Sequence, residues 1–307
     1  MRTYRIGGAL AGASRTMSFG VVGGIYLVAG LGAVLTWQLA GARHPLTGAL
    51  YADLVATLLV FAASMLLRNA SIYDPCWSVA PPLIMVGWIV AAAEDGVVLR
   101  QFLVTALVTV WAFRLTANWA RGWSGLRHED WRYRQLRAQT RGRLPWWLVN
   151  LTGIQLMPTL VVFAGLLSGW PAVAGDRAVG PLDVLAVLVT AGAIGLEAVA
   201  DDQLRRFTAD PANRGRICDR GLWRYSRHPN YLGEIAFWWG LWLFGLAADP
   251  SWWWTVIGPL TVLTLFVGAT IPLMERRSLD RRPGYAAHRR EVPMLLPRPP
   301  IRHRIPD

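Results

Sequence analysis

Eight apolar runs of membrane-crossing length constrain this chain more than any other feature. They cover roughly 20–41, 49–67, 77–93, 99–120, 146–168, 182–200, 231–248 and 252–273 of its 307 residues. A helix needs about 20 such residues to cross a hydrocarbon core about 30 Å thick. Backbone groups in lipid have no water to bond, so the spans are expected to be helical. The chain is therefore predicted to fold as an all-α, polytopic membrane helical bundle with seven to eight transmembrane helices. The third and seventh runs are short enough to be tilted, re-entrant or packed away from lipid. Charge content agrees: 16% of residues are charged, where a soluble domain carries about 25%.

The charges also predict an orientation. All 31 basic residues are Arg. On the eight-span reading, 27 of them fall on one side: Arg2, Arg5 and Arg15 before the first span, Arg68, seven from Arg121 to Arg143, seven from Arg205 to Arg227, and nine from Arg276 onward. Arg43, Arg100 and Arg177 fall on the other side, and Arg114 lies within a span. Positive residues stay inside, so both termini are expected in the cytoplasm, most simply at a bacterial inner membrane. The net charge of +12 then reflects topology and contact with membrane lipids. No nucleic-acid recognition fold accompanies it, and no nucleic-acid partner is expected.

Other bulk signals are bland. Trp119, Trp123, Trp146, Trp147, Trp170 and Trp252 to Trp254 sit at span ends, where an aromatic belt belongs. Cys76 and Cys218 both fall on the cytoplasmic side, where disulfides are rare. Five scattered His show no ligand spacing, so no metal site is expected. The glycine-rich patches at 7–12 and 20–24 lie in or beside a membrane helix, where Gly is ordinary.

Polar groups that topology does not explain form four clusters on the arginine-rich side. Tyr73 and Asp74 precede Pro75 at the lip of the third span. Asp before Pro is a common turn or helix cap, but an acid part-buried at a membrane pocket can also donate a proton. Arg114, Asn118 and Arg121 recur at helical spacing, with Arg114 about two turns inside its span, too deep for snorkelling alone. The following His128-Glu129-Asp130 reads as a solvated helix start with charge pairs. Glu197, Asp201 and Arg205 form an i, i+4 ladder on one helix face. It is either an intrahelical ion-pair row or a holder for ribose hydroxyls and phosphate. The fourth cluster, Trp223 to Glu234, places Tyr225, Arg227, His228, Asn230, Tyr231 and Glu234 at a helix entrance, with Arg220 before it and Arg289 far after it. Ionisable groups at such a boundary mark a functional site by default.

These clusters carry a resemblance. Residues 47–297 resemble the DUF1295 family, a bacterial branch similar to the C-terminal domain of the steroid 5-alpha-reductases. The likeness rests on Glu197 to Phe207, Asp219-Arg220-Gly221-Leu222-Trp223, Tyr225 to Glu234, and Gly284-Tyr285. On this reading residues 1–46 are a cytoplasmic N-terminus plus an extra first helix, and 298–307 a cytoplasmic tail. The resemblance implies an NADPH site facing the cytosol and a lipophilic substrate drawn from the bilayer. It implies cofactor contacts at Asp201, Asn230 and Arg289, with Glu234 bracing the pocket; the ladder and the motif add Glu197, Arg205, Arg220, Tyr225, Arg227, His228 and Tyr231 as candidate cofactor-binding residues. Tyr73-Asp74-Pro75 resembles the family loop that polarises a substrate ketone, with Asp for Glu and one residue fewer before Pro81; the family's Tyr has no clear counterpart, because Trp111 stands near its expected place. The implied reaction passes hydride to a conjugated enone while Asp74 and Tyr73 hydrogen-bond its carbonyl. The Arg-His-Pro-x-Tyr core is shared with isoprenylcysteine and phospholipid methyltransferases, so an S-adenosylmethionine-dependent methyltransferase is the alternative.

Overall fold

The structure, a computed structural model, describes residues 13–40, 44–93 and 95–299. Arg2, Arg5, Arg43, Arg302 and Arg304, the glycine-rich 7–12 patch and most of the C-terminal tail lie outside the described residues. Among the described residues there are helices and no strands. Eight helices are long and apolar enough to cross a membrane: α1 (Arg15–Leu39), α2 (Pro45–Leu67), α3 (Ala70–Ala92), α4 (Val98–Gly122), α6 (Trp146–Ala174), α7 (Pro181–Ala209), α8 (Pro229–Ala248) and α9 (Pro250–Arg281). Two short polar helices, α5 (Trp131–Thr140) and α10 (Tyr285–Glu291), lie between and after them. The chain is a multi-pass membrane protein.

Span boundaries follow local chemistry. Pro45, Pro181, Pro229 and Pro250 open α2, α7, α8 and α9, since proline's missing N–H costs nothing at the first helical position. The third span is longer than the apolar run suggested because a 3-10 turn, Ala70–Tyr73, leads directly into it. Its entry is capped by Asn69, whose Oδ1 accepts from the Ser71 N–H at 2.9 Å. α7 runs on past its apolar run to Ala209, and α9 past its own to Arg281. Both thus carry polar residues beyond the apolar core.

α7 and α8 form the closest pair and build the wall on which the site stands. They meet through Gly233 and Gly240 of α8. A Cβ on Gly233 would lie 2.7 Å from Cβ of Glu197, and one on Gly240 would lie 2.2 Å from Oγ1 of Thr190. Small residues at such contacts let membrane helices approach closely. Behind this pair lies the main core of Trp88, Trp111, Phe163, Phe237, Trp238 and Phe244, with Trp111 stacked on Phe237 at 4.5 Å.

α1 is integrated into the bundle. Its Arg15 guanidinium donates to the carbonyls of Trp123 (3.0 Å) and Ala120 (2.7 Å) at the end of α4, where the helix dipole favours a cation. Phe19 packs edge-on against Trp119 and Trp123. The Tyr26 hydroxyl donates to the Ile72 carbonyl at 3.0 Å, bracing the turn that carries Tyr73 and Asp74. At the opposite face Arg100 and Asp183 form a fully buried ion pair at 2.6 Å, joining the starts of α4 and α7.

Candidate functional site

At the arginine-rich face the helix ends enclose a cavity of about 740 Å³, and all four polar clusters contribute to it or border it. Its acidic wall comes from α7 and α8. Glu197 and Asp201, one turn apart on α7, present their carboxyls to the same side. Pro229 starts α8 so that Asn230 and Glu234, again one turn apart, face them.

The cation of this cluster is Arg114. It sends Nη2 to Glu197 Oε2 at 2.6 Å and Nη1 to Asp201 Oδ2 at 2.9 Å, with Glu234 Oε2 at 4.0 Å. Asn118, one turn along α4, donates to Asp201 Oδ2 at 2.7 Å, and Asn230 Nδ2 donates to Oδ1 at 3.2 Å. Glu234 accepts indole N–H bonds from Trp111 and Trp238, both at 2.9 Å. Trp111, which stands where the resemblance led one to expect a phenol, thus holds a carboxyl in place. The Asn230 Oδ1 atom is buried and has no protein donor.

Another wall comes from the start of α3 and from α5. Two loops are tied together here: Asn69 Nδ2 donates to the carbonyls of Leu126 and His128, and the Asp130 N–H donates to Ser71 Oγ at 2.7 Å. Asp130 caps α5 and pairs with Arg132 at 2.9 Å, while Glu129 pairs with Arg137 at 2.9 Å. The charge pairs expected of this stretch are present. They also aim α5 so that Tyr133 donates its phenol to Asp74 Oδ1. Burial, and then the Asp74 carboxyl, push the Tyr133 phenol well above its ordinary pKa, so it remains a donor. Burial works against the Asp130 carboxylate, but the hydrogen bonds and charge of Arg132 outweigh it and hold its pKa below the usual range. Tyr73 lines the cavity too, its hydroxyl 2.6 Å from Thr159 Oγ1.

The cavity therefore gathers Tyr73, Asp74, Glu197, Asp201, Asn230, Tyr231 and Glu234 from the sequence-derived candidates. Tyr231 stacks on His228 at 5.2 Å. Six candidates do not line it. Arg205 does not continue the Glu197/Asp201 ladder; it turns away and pairs with Asp202. Arg220 lies over Phe207 at 5.9 Å and, with Arg214 and Arg216, borders a separate cleft of about 590 Å³. Tyr225 is partly exposed.

Arg227, His228 and Arg289 converge on Glu275, at 2.7, 3.4 and 3.2 Å. Their neighbourhood is a docking point for the chain's last described segment. The Arg227 N–H donates to the Pro293 carbonyl, its guanidinium to the Arg289 carbonyl, Ser226 Oγ to the Met294 carbonyl, and the Arg298 N–H to the Tyr225 carbonyl. Sequence reasoning singled out Arg114 for its depth but did not connect it to Asp201. It missed the role of Tyr133, for which a polar ten-residue helix gives no signal.

This docking is expected to weaken in acid. Burial, and then the nearby Arg227, hold His288 of α10 below the ordinary imidazole value. A group depressed in the folded state binds fewer protons there, so its stabilisation is complete above about pH 6.5 and is lost as pH falls toward the folded value. Limited proteolysis should cut the 282–298 segment faster at pH 5 than at pH 7.5, and His288→Gln should flatten that difference. An unchanged pH dependence in the variant would assign the effect to another group.

No group of three or more His, Cys, Asp or Glu suited to a metal ion occurs among the described residues. No solved structure matches the chain. A protein of the fission yeast Schizosaccharomyces pombe, described as uncharacterized protein C594.04c, is 27% identical over 281 residues, covering 83% of this chain and 80% of its own. The likeness is thus not confined to bacteria. Residues 60–292 match the model of a protein family of unknown function, DUF1295, a stretch that includes every wall of the cavity, and the chain belongs to that family.

Proposed function

We propose that this protein is a membrane-embedded, NADPH-dependent reductase that adds hydride and a proton across the conjugated double bond of a lipophilic enone. Its arginine-rich face would be cytoplasmic, with both termini on that side. The observation that carries the reading is the shared cavity. An acid–phenol pair, Asp74 and Tyr133, lines the same cavity as the polar group of Asp201, Asn230, Glu197 and Glu234, together with apolar residues such as Val262, Leu265 and Phe266.

The residues present fit the nicotinamide-ribose end of such a cofactor. The buried Asn230 Oδ1 lacks a donor, and a carboxamide N–H or ribose O–H would supply one; leaving it unmet costs about 1–3 kcal/mol. Asn230 and Asp201 would hold that end. When bound, the reduced nicotinamide supplies the hydride. Three carboxyl groups around the single Arg114 guanidinium give this wall an excess of acidic groups, which suits a ring that becomes positive on losing hydride better than an anion. Asp74, in its protonated form and oriented by Tyr133, would donate a hydrogen bond to the enone carbonyl and stabilise negative charge developing on that oxygen. Tyr73 is the nearby hydroxyl suited to pass a proton. The apolar walls exclude water from the reacting carbons.

The methyltransferase reading would use Arg227, His228 and Glu275 for S-adenosylmethionine. These side chains are engaged with one another and with the 289–294 segment, which favours the reductase. Thermal shift of the detergent-purified protein separates the two. NADPH well above its dissociation constant should add about 2–4 kcal/mol of apparent stability, while S-adenosylmethionine should add none. Asp201→Ala and Asn230→Ala should each abolish the NADPH shift. Retention of the shift in both variants, or stabilisation by S-adenosylmethionine alone, would overturn the assignment.

A further inference from the structure

The exposed residues around the cavity fall into two sets. Gly122, His128, Gln135 and Gln139 form a polar mouth beside α5. Gly153, Met157 and Ala269 form an apolar mouth between α6 and α9. At that second mouth both helices leave regular α geometry. Residues Asn150–Leu156 of α6 and Phe266–Thr270 of α9 are π-helical. The Met157 N–H reaches back five residues to Thr152, and the Ile271 N–H five residues to Phe266. Single π turns inside α-helices are uncommon and concentrate at functional sites. Two of them facing one cavity from separate spans form a constructed opening.

Packing around the opening explains its shape. α6 and α9 pack along Met157–Leu166 and Ile257–Leu265. There a Cβ on Gly258 would lie 2.3 Å from the Ala164 carbonyl oxygen and 2.9 Å from the Gly165 Cα, so the backbones nearly touch. The π segments lie on the other side of this crossing, toward the arginine-rich face. At Gly153 and Gly268 an added Cβ would meet nothing within 4 Å. The two helices thus cross closely at one point and leave a slot floored by Ile154 and Phe266, both buried and both lining the cavity.

We propose that this slot is the lateral portal through which a bilayer-dissolved, largely apolar molecule with one polar end enters the cavity, while the polar mouth beside α5 serves water-soluble ligands. The proposal rests on the reading that the substrate is lipophilic, and it assigns Gly153, Gly268 and Ala269 as the residues that set the width of entry. The molecule would slide in between the π segments and bring its polar end to Asp74.

The test uses the full chain in phosphatidylcholine vesicles with a small membrane-partitioned aryl diazirine as probe. Photolysis should label Tyr73 and Trp238, which line the cavity but are almost wholly buried. It should also label lipid-facing Phe113 as an internal reference. Gly153→Trp and Ala269→Trp should each remove the labelling of Tyr73 and Trp238 and leave that of Phe113. Leu160→Trp, a bulky change at an exposed position of α6 that does not line the cavity, should preserve all of it and control for folding. Absence of cavity labelling in the unaltered protein, or full labelling in both Gly153→Trp and Ala269→Trp, would overturn the portal. NADPH thermal shifts on the same variants keep the two readings apart. Blocked labelling without any NADPH response leaves the portal standing and removes the reductase; an NADPH response with unblocked labelling does the reverse.

Discussion

Replacing Arg114 with Met should lower the stability of the folded protein by about 3–5 kcal/mol, the cost of removing one partner from a buried ion pair and leaving the other unmatched. The expectation is firm because Arg114 is the cation that the structure sets within ion-pair distance of Glu197, Asp201 and Glu234. Its guanidinium is a rigid fork spanning two carboxyls on successive turns of α7. An ammonium is a point charge on a flexible stem, so Arg114→Lys should recover only part of the loss. Neutralising the acids together with the base, as in Arg114→Met with Glu197→Gln and Asp201→Asn, should recover more, since the two carboxylates that Arg114 bridges most closely are then uncharged. Thermal melting in detergent reads all three. A single Arg114→Met variant that melts with the parent would show that Arg114 does not balance the carboxyls.

The second large effect belongs to Asp74. Asp74→Asn keeps the shape of the side chain while removing its ionisable proton, and on the proposed reaction it should slow enone reduction by about 10²–10⁴-fold. NADPH stabilisation should persist, because Asp74 belongs to α3, and Asp201 and Asn230 to α7 and α8. Tyr133→Phe should slow turnover less. It removes one hydrogen bond to the protonated Asp74, and a bond between neutral groups contributes about 0.5–1.5 kcal/mol. Single-turnover oxidation of bound NADPH against a panel of lipophilic enones measures both. An Asp74→Asn enzyme with the parent's rate would remove Asp74 from the chemistry and leave the cavity's acidic wall to be explained alone.

The architecture was legible because lipid simplifies the problem. Apolar length sets each span. All eight apolar runs correspond to helices. Where boundaries differ, at α7 and α9, the helices continue into polar sequence that hydropathy cannot register. The site was legible one helix at a time. Glu197 with Asp201 and Asn230 with Glu234 follow from helical spacing, as does the alignment of Arg114 with Asn118. What spacing along one helix cannot show is which helices meet. The ladder's cation was therefore sought at Arg205, four residues on, when it comes from α4. Tyr133 was hidden for the same reason, since its partner Asp74 is 59 residues away. Spacing equally hides that Arg227 and His228, in the polar motif before α8, meet Glu275, and that Arg227 also holds the final segment.

That final segment has a consequence for how the protein comes into being. Domains form in the order in which the ribosome delivers them. When α8 enters the membrane, Arg227 has none of the carbonyls it will hold, because residues 289–293 are still to be made. Glu275 likewise waits for Arg289. The motif that opens α8 thus stays unfinished until residues 289–293 have been made. A chain cut short of them keeps the Arg227–Glu275 pair but lacks the backbone acceptors and the second guanidinium that complete it.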